Sequence, residues 1–367
     1  MPTPSPRAEL PGPLLPVERV LATDPDAAVL DRRLGASREG RPVVGCRRGS
    51  GPLGVSLIGG CHADEPVGPE MLRRLATYLS SLPAEAPELQ AATWSLVPHV
   101  NPDGEARNRG WSEAFLAVRD SQGADDRAYD LTAYLDGVVR EGPEDDLEWG
   151  FPLDPEDRDA RPENLAVADF LRPQAPFALH ASYHSMGFAE GPWFLLEGDW
   201  EDRTEAMRRR LGKAVAAMGY ELHDVDREGE KGFHRIAPGF CTRPDSRAMA
   251  AYFIGKGDAE TAAIFQPSSM EFVRSLGGDP LTLVSEMPLF LMAESSPEDP
   301  QAPPYPTGTG GRLAFLAWAQ RRRRKLSDEA FLDEALELGI APMPLRDQMR
   351  LQLAFLNEGL AAVSTIP

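Results

Sequence analysis

Short apolar runs and longer stretches of helical periodicity alternate along this chain. The runs with the character of β-strands fall at 42–47, 53–59, 92–100, 176–184, 192–197 and 281–287. Apolar residues recur at the spacing of an amphipathic helix in the segments 65–82, 162–173 and 204–219. This alternation predicts an α/β fold with three α/β/α layers, in which a mixed, mostly parallel central sheet lies between helices.

The two ends of the chain differ in pattern from its middle. Residues 1–17 are rich in proline and predict a flexible arm, whereas the strand-like runs lie within 18–300, which we interpret as one domain. The segment 301–367 contains three helical patterns and predicts a C-terminal helical extension that could mediate homo-oligomer formation. Two acidic stretches, 105–160 and 225–270, predict long loops that wall a functional cleft.

Composition and charge narrow the classes of function. Of the 367 residues, 42% are hydrophobic, yet no window approaches about 18 consecutive apolar residues, so we expect no membrane span. The net charge of −19 would repel nucleic acid and anionic membranes. The proline-rich start lacks the features of a secretory signal, and the three cysteines are odd in number and far apart. We therefore expect a reduced, cytoplasmic protein that binds neither nucleic acid nor membrane.

Polar residues suited to metal or acid–base chemistry end or interrupt four of the strand-like runs. Ligands of open α/β sheets bind beyond the carboxyl ends of the strands, so a functional site is expected where these residues lie. In chain order they are His62 and Glu65 in GGCHADEPVGPE, Asn101 in NPDG, His180 and His184 in FALHASYHSMG, and Glu286 in PLTLVSEMP.

His62 and Glu65 have the spacing of a metal-binding turn. Two intervening residues allow one turn to direct both side chains at a point, and a distant histidine would complete a His-Glu-His set for Zn²⁺. Three protein ligands leave the open position that a catalytic zinc ion needs to activate water. Taken alone, an HxxE pattern is more often a solvated turn. The glycine pair before it and the three other polar strand ends favour the metal site.

The order HxxE, NPDG, His, Glu across residues 35–292 resembles the M14 zinc carboxypeptidases, the funnelin group, in a superfamily that also contains succinylglutamate desuccinylase. PENLAVADFL, followed by an apolar strand bearing histidine, is similar to the family's approach to its second zinc histidine. The resemblance implies a zinc carboxypeptidase-like catalytic domain over 18–300. It also implies that His62, Glu65 and a later histidine bind Zn²⁺, with Glu286 as the general base.

Two of these assignments leave alternatives open. His180 and His184 lie four residues apart and would face the same side of one strand, ~13 Å from each other. We favour His184 as the third ligand because it ends the predicted strand, and we retain His180 as the alternative. A glutamate in an apolar run is costly to bury without purpose, which favours Glu286 as the base over a solvent-facing edge residue.

Candidates for binding the substrate are less well marked. Zinc carboxypeptidases hold the terminal carboxylate of the substrate with arginines, usually in a DxNR-type stretch, and this sequence has no clean DxNR. Arg107 and Arg109 follow NPDG, and Arg140 falls in the corresponding region. These arginines and Asn101 are the candidate substrate-binding residues. Alternatively, the arginines could form ion pairs with nearby Asp and Glu residues. His99 is expected to have a structural role.

Together these expectations describe a zinc-dependent metallohydrolase that cleaves an amide bond, as a carboxypeptidase acting on peptide C-termini. Two other functions remain open. One is a small-molecule N-acyl amino acid deacylase of the aspartoacylase and succinylglutamate desuccinylase type. The other is a non-catalytic binding module of the same fold. The expected partner is a peptide or a small amide substrate.

Overall fold

A mixed β-sheet forms the centre of the molecule. The computed structural model describes residues 13–142, 145–292 and 308–364. Within them the strands are β1 (Arg32–Ala36), β2 (Pro42–Arg48), β3 (Leu53–Gly59), β4 (Ala92–Val97), β5 (Phe115–Arg119), β6 (Asp125–Tyr129), β7 (Leu179–Ala189), β8 (Trp193–Leu196), β9 (Arg235–Ala237), β10 (Phe240–Thr242), β11 (Leu281–Leu291) and β12 (Ala341–Pro342).

Ten of these strands pair in one sheet, in the spatial order β1-β2-β4-β3-β7-β11-β8-β10-β9, with β12 beside β11. The four central strands, β4, β3, β7 and β11, are parallel, whereas most outer pairings are antiparallel. Strands β5 and β6 form a separate antiparallel hairpin. The predicted mixed, mostly parallel sheet is confirmed, and its parallel part carries the candidate site residues.

Helices cover both faces of this sheet. They are α1 (Val17–Leu21), α2 (Val67–Ser81), α3 (Pro87–Ala91), α4 (Pro102–Ser112), α5 (Leu131–Gly137), α6 (Pro162–Leu171), α7 (Glu205–Ala217), α8 (Ser246–Gly255), α9 (Ala259–Ile264), α10 (Ser269–Ser275), α11 (Gly308–Arg323), α12 (Asp328–Glu337) and α13 (Leu345–Ser364). Successive strand residues point to opposite faces. Leu57 of β3 joins a core with α2 and α13, and the next residue, Ile58, joins a second core with α6 and α10. The predicted three layers follow from this alternation.

The lengths of β3 and β7 determine where the candidate side chains meet. β7 pairs with β3 as far as Gly59 and Tyr183, and continues along β11 to Ala189. His184 therefore does not end its own strand, as the sequence had suggested. It lies where the neighbouring strand β3 ends, so the chain leaving β3 turns beside it.

The stretches predicted as long loops contain regular structure, and that prediction was wrong. Residues 105–160 include most of α4, the β5–β6 hairpin and α5, while 225–270 include β9, β10, α8 and α9. Polar residues that resembled loop sequence are helix caps, since their side chains accept hydrogen bonds from first-turn N–H groups. The capping residues are Asn101 for α4, Asp130 for α5, Asp245 for α8 and Asp258 for α9.

The two ends of the described chain meet in space. Leu15 is buried, and its backbone N–H and C=O both bond the side-chain amide of Asn357 in α13. Helix α13 in turn packs against β7 and β11. The domain boundaries after 17 and 300, and oligomer formation through the C-terminal helices, remain predictions. In the part of the chain that the structure describes, no helix is both long and apolar enough to cross a membrane.

Candidate functional site

Four potential ligand atoms converge at the carboxyl end of β3. Nδ1 of His62 lies 2.8 Å from Oε1 of Glu65, and Nδ1 of His184 lies 2.9 Å from Oε2 of the same carboxylate. The two Nδ1 atoms are 3.2 Å apart. All three side chains are buried. Both imidazole rings and both carboxylate oxygens are therefore directed at one point, which we call the triad centre.

The separations at the triad centre suit a zinc ion. With metal–ligand bonds of about 2.0–2.2 Å and tetrahedral angles, ligand atoms lie roughly 3.3 Å apart. The observed separations of 2.8, 2.9 and 3.2 Å are close to that value. Imidazole nitrogen and carboxylate oxygen are also donors that zinc accepts. The residues present therefore fit Zn²⁺.

The turn that carries His62 and Glu65 is shaped by Gly60. Its φ of +65° favours glycine, and a Cβ there would lie 2.5 Å from Nδ1 of His99. The chain can therefore turn tightly after β3. Pro66 follows as the N-cap of α2, at a helix end where no intrahelical bond needs its missing N–H. Both ligands are thus fixed between the end of a central strand and the start of a helix.

Each histidine of the triad centre is also held through its other ring nitrogen. Nε2 of His62 lies 3.3 Å from Oδ1 of Asp146 and 3.4 Å from Oε2 of Glu148. Nε2 of His184 lies 2.8 Å from the Ser182 hydroxyl. Such partners fix the tautomer and the ring orientation of metal-binding histidines. Both rings are therefore oriented with Nδ1 toward the triad centre.

Glu148 brings a second carboxylate close to both histidines. One ligand atom each of His62, Glu148 and His184 lie within 4.8 Å of one another. Oε1 of Glu148 accepts a hydrogen bond from Nη2 of Arg243 at 3.0 Å. Burial would raise the pKa of Glu148, but the nearby His184 and His62 lower it strongly. Glu148 is therefore ionised and available to bind a cation or to orient His62.

Glu286 lies beside the triad centre on the adjacent strand. It is the register partner of His184 in the β7–β11 pair and of Trp193 in β8, so the three side chains project from one face of the sheet. Burial, and then the negative charge of Glu65, raise the pKa of Glu286 to about 7. A carboxyl group with such a pKa can exchange a proton near neutral pH, as general acid–base catalysis requires.

Among the candidate arginines, Arg140 is the one that reaches the triad centre. Its Nη1 donates to Oδ1 of Asp64 and to Oε1 of Glu65, both at 3.1 Å. Burial opposes the charge of Arg140, but the two carboxylates raise its pKa, so it stays a cation. Its side chain is 33% exposed, which leaves part of the guanidinium open to a substrate.

Glu141, the next residue, holds the same turn from its other side. Its Oε2 accepts the backbone N–H of Ala63 at 3.3 Å. Its Oε1 accepts hydrogen bonds from Asn101 Nδ2 and Arg107 Nη2, both at 2.8 Å. Arg107 also pairs with Glu39. The structure therefore places Asn101 and Arg107 behind the turn, in contact with Glu141.

Two other candidate residues lie away from the triad centre. His180 is buried between the hydroxyls of Ser56, at 2.6 Å, and Ser269, at 3.1 Å. Burial lowers the pKa of His180 to about 3, so it is a neutral core histidine. Arg109 is 65% exposed and pairs with Glu113 on the same helix, at 3.6 Å. The structure brings His184, and not His180, to His62 and Glu65.

One family model matches this chain: residues 18–190 match the zinc carboxypeptidase family. The resemblance to the zinc carboxypeptidases is therefore confirmed. The matched segment contains His62, Glu65 and His184 and ends before Glu286. A search of curated protein sequences gives no significant match.

Several solved structures resemble the chain at low sequence identity. Bovine thrombin-activatable fibrinolysis inhibitor, in complex with tick carboxypeptidase inhibitor, is 13% identical, with 90% of this chain and 89% of that chain covered and a TM-score of 0.45. A metallo-carboxypeptidase from Burkholderia cenocepacia is 15% identical, with 92% of this chain and 68% of that chain covered and a TM-score of 0.40.

Four residues at or around the triad centre were not foreseen from the zinc carboxypeptidase pattern. The stretch DLEW held a signal for two of them: it keeps the aspartate of DxNR, as Asp146, but has Glu148 and Trp149 where the family has asparagine and arginine. Arg243 comes from a distant acidic stretch, and Glu141 resembles a solvated loop acid. Neither of those two carries a local signal in the sequence.

Proposed function

We propose that this protein is a zinc-dependent metallohydrolase that cleaves an amide bond, acting as a carboxypeptidase on peptide C-termini. The observation that carries the proposal is the convergence of His62, Glu65 and His184 at distances suited to zinc. Glu286 beside them supports a catalytic role over a binding module, because a carboxyl group with a pKa of about 7 can exchange a proton at neutral pH.

When bound, Zn²⁺ would polarise the scissile carbonyl and activate water. His62, Glu65 and His184 would hold it as the three protein ligands that a catalytic zinc site uses. These ligands are held in fixed positions, because strand pairing fixes His184 and the start of α2 fixes the HxxE turn. The outer contacts of the two rings would keep the ligand nitrogens aligned.

Glu286 would serve as the general base. Its carboxylate would accept a proton from the attacking water and pass it to the leaving nitrogen. A pKa of about 7 suits both transfers, because the group can take and release a proton at neutral pH. Arg140 would orient a carboxylate or carbonyl oxygen of the substrate, since its guanidinium is partly exposed beside Glu65.

A small-molecule N-acyl amino acid deacylase is the second candidate function. Arg107 binds Glu39 and Glu141, and Arg109 binds Glu113 away from the triad centre. A peptide terminus would therefore meet fewer available cations than the sequence suggested. An N-acyl amino acid carries one carboxylate, as a peptide C-terminus does, and Arg140 could bind it without further substrate contacts.

The test combines metal analysis with a matched substrate panel. Purified full-length protein is analysed for zinc and assayed on peptides with a free C-terminus, on the same peptides with an amidated C-terminus, and on N-acyl amino acids. We expect one zinc per chain, and cleavage of free-acid peptides that a chelator abolishes and added Zn²⁺ restores. Turnover of N-acyl amino acids alone would reject the peptidase function. A chain that neither binds zinc nor hydrolyses any substrate would be a binding module. A cytoplasmic location remains a separate proposal.

A further inference from the structure

A cavity lies behind the HxxE turn. Its volume is about 230 Å³, and its lining includes Ala63 of the turn and Pro66, Glu70 and Arg73 at the start of α2. The hairpin and α4 form the other walls. The volume is below the roughly 300–1,000 Å³ of pockets that hold drug-sized ligands, so the space suits a small molecule better than a peptide segment.

His99 brings a hydrogen-bond donor to this cavity. It lines the cavity and is only 7% exposed, and its Nδ1 accepts the backbone N–H of Asn101 at 3.1 Å. Burial lowers the pKa of His99 to about 4, so the ring is neutral and its proton is on Nε2. Among the residues that the structure describes, Nε2 of His99 has no hydrogen-bond partner.

Tyr129 brings a second donor. It is 1% exposed and lines the same cavity, with its ring packed edge-on against Trp111 and tilted against Phe115. Its hydroxyl makes no hydrogen bond within the described parts of the chain. These two donors therefore share one cavity without a protein acceptor in the ranges that the structure describes, and both are available to a ligand bound there.

The walls of the cavity carry both signs of charge. Arg73 pairs with Glu105, and Arg127 lies 3.2 Å from Glu70. Arg73 acts electrostatically on both His99 and Tyr129, so this cation lies near both donors. A bound carboxylate could accept from the two donors and from a guanidinium, while an ammonium group could pair with a glutamate of the wall.

We propose that this cavity binds a small zwitterion of the free α-amino acid class, directly behind the turn that carries His62 and Glu65. The proposal does not depend on which amide bond the triad centre cleaves. An amino acid is also the type of product that a carboxypeptidase releases. The experiment must therefore show which of the two places holds the ligand.

The test is isothermal titration of the full-length, zinc-loaded protein with glycine, L-lysine and L-glutamate, and with acetate and methylammonium as single-charge probes. We expect saturable binding of at least one amino acid, and weaker binding of both single-charge probes. Tyr129→Phe removes one hydroxyl and should weaken binding about 10- to 100-fold, the value of a hydrogen bond to a charged group. Tyr78→Phe is the matched control, since that hydroxyl bonds Glu88 outside the cavity lining.

Two further variants locate the ligand. His184→Ala should leave amino acid binding unchanged, whereas Arg73→Gln, which removes the cation that lies near both donors, should weaken it. Binding that is lost in His184→Ala and kept in Tyr129→Phe would place the ligand at the triad centre and overturn the proposal. Acetate binding as tightly as the amino acids, or no saturable binding at millimolar concentration, would overturn it as well.

Discussion

The triad centre is built from two halves of different origin. One half lies on the central sheet, with His184 on β7, Glu286 on β11 and the HxxE turn at the end of β3. The other half lies on connecting segments, and its members are Arg140, Glu141, Asp146, Glu148 and Arg243. In the sheet half, strand pairing holds His184 to β11 and Glu286 to both β7 and β8, while the HxxE turn follows directly from β3. In the connecting half, the contacts to the triad centre and its turn are made by side chains rather than by strand pairing.

Exposure distinguishes two ligands of the sheet half from two members of the connecting half. The side chains of Glu65 and His184 are 4% and 1% exposed, whereas those of Asp146 and Arg140 are 21% and 33% exposed. Water screens partly exposed ion pairs and lowers their net worth. We therefore expect the sheet half to decide whether metal binding and chemistry occur, and the connecting half to adjust their strength.

The largest contrast should come from the two histidines of β7. His184→Ala removes a ligand atom that lies 2.9 Å from Glu65, so zinc affinity should fall by more than about 100-fold, beyond the cost of changing a residue that only supports a ligand. His180→Ala should keep zinc, but lower the free energy of unfolding by about 2–3 kcal/mol by leaving the Ser56 and Ser269 hydroxyls without their partner. Chelator competition and urea denaturation measure the two effects.

Zinc binding retained in His184→Ala and lost in His180→Ala would contradict the position of the centre beyond the end of β3. That outcome would also remove the argument from register, because the two residues share one strand and one face. Loss in both variants would indicate that any cavity in β7 disrupts the HxxE turn.

The next effect should separate chemistry from metal binding. Glu286→Gln keeps the shape of the side chain but removes the proton acceptor, so kcat should fall about 10²–10⁴-fold while zinc content is unchanged. Ser285→Ala is the matched control, because Ser285 is the preceding residue and faces the other side of the sheet. Assays with saturating substrate measure kcat, and metal analysis of the same samples measures the zinc content. Full activity in Glu286→Gln would remove this residue as the base.

The sheet half could be predicted from sequence because its signals are local. Apolar runs gave the central strands, and HxxE after a glycine pair gave two ligands on one turn. The sequence favours His184 over His180 because His184 ends the predicted strand. In the structure His184 meets the other ligands because the neighbouring strand β3 ends beside it, while β7 continues. That end is set by Gly60, whose φ of +65° turns the chain away.

The connecting half could not be predicted because its contacts join distant parts of the sequence. Arg243 meets Glu148 across 95 positions, and Glu141 meets Ala63 across 78. Acidic residues on such segments look alike in sequence, whether they are solvated, cap a helix or support a ligand. Helix caps such as Asp130 have the same effect on the prediction of secondary structure. Their polar side chains are typical of loops, although they begin helices.

A smaller effect should come from the two acids that face His62. Asp146 and Glu148 lie 3.3 and 3.4 Å from the same Nε2, so either can orient the ring when the other is removed. Asp146→Asn and Glu148→Gln should each lower zinc affinity only a few-fold, and the double variant should lower it about 10–100-fold. Asp145→Asn, in the same segment but paired with Arg38 and Arg161, is the control. Additive effects would show that the two acids act separately.

The smallest effect on zinc should come from Glu141, which holds the turn without contacting a ligand. Three donors point at its two oxygens, from Ala63, Asn101 and Arg107. Glu141→Gln replaces one acceptor oxygen with an amide NH₂ and leaves at least one donor unpaired. The free energy of unfolding should fall by about 1–3 kcal/mol. Zinc affinity should change less than in the double variant, because β3 and α2 still fix both ends of the turn.

Glu39→Gln is the matched control for Glu141, because Glu39 also binds Arg107 but is about half exposed and does not contact the turn. Its effect on stability should be within about 0.5 kcal/mol, as for most surface substitutions. Thermal denaturation and chelator competition on both variants compare the roles. The contrary outcome is that Glu141→Gln weakens zinc binding as much as His184→Ala. In that case the connecting half would contribute as much to zinc affinity as the sheet half, because the shape of the turn would depend on a side chain 78 positions away.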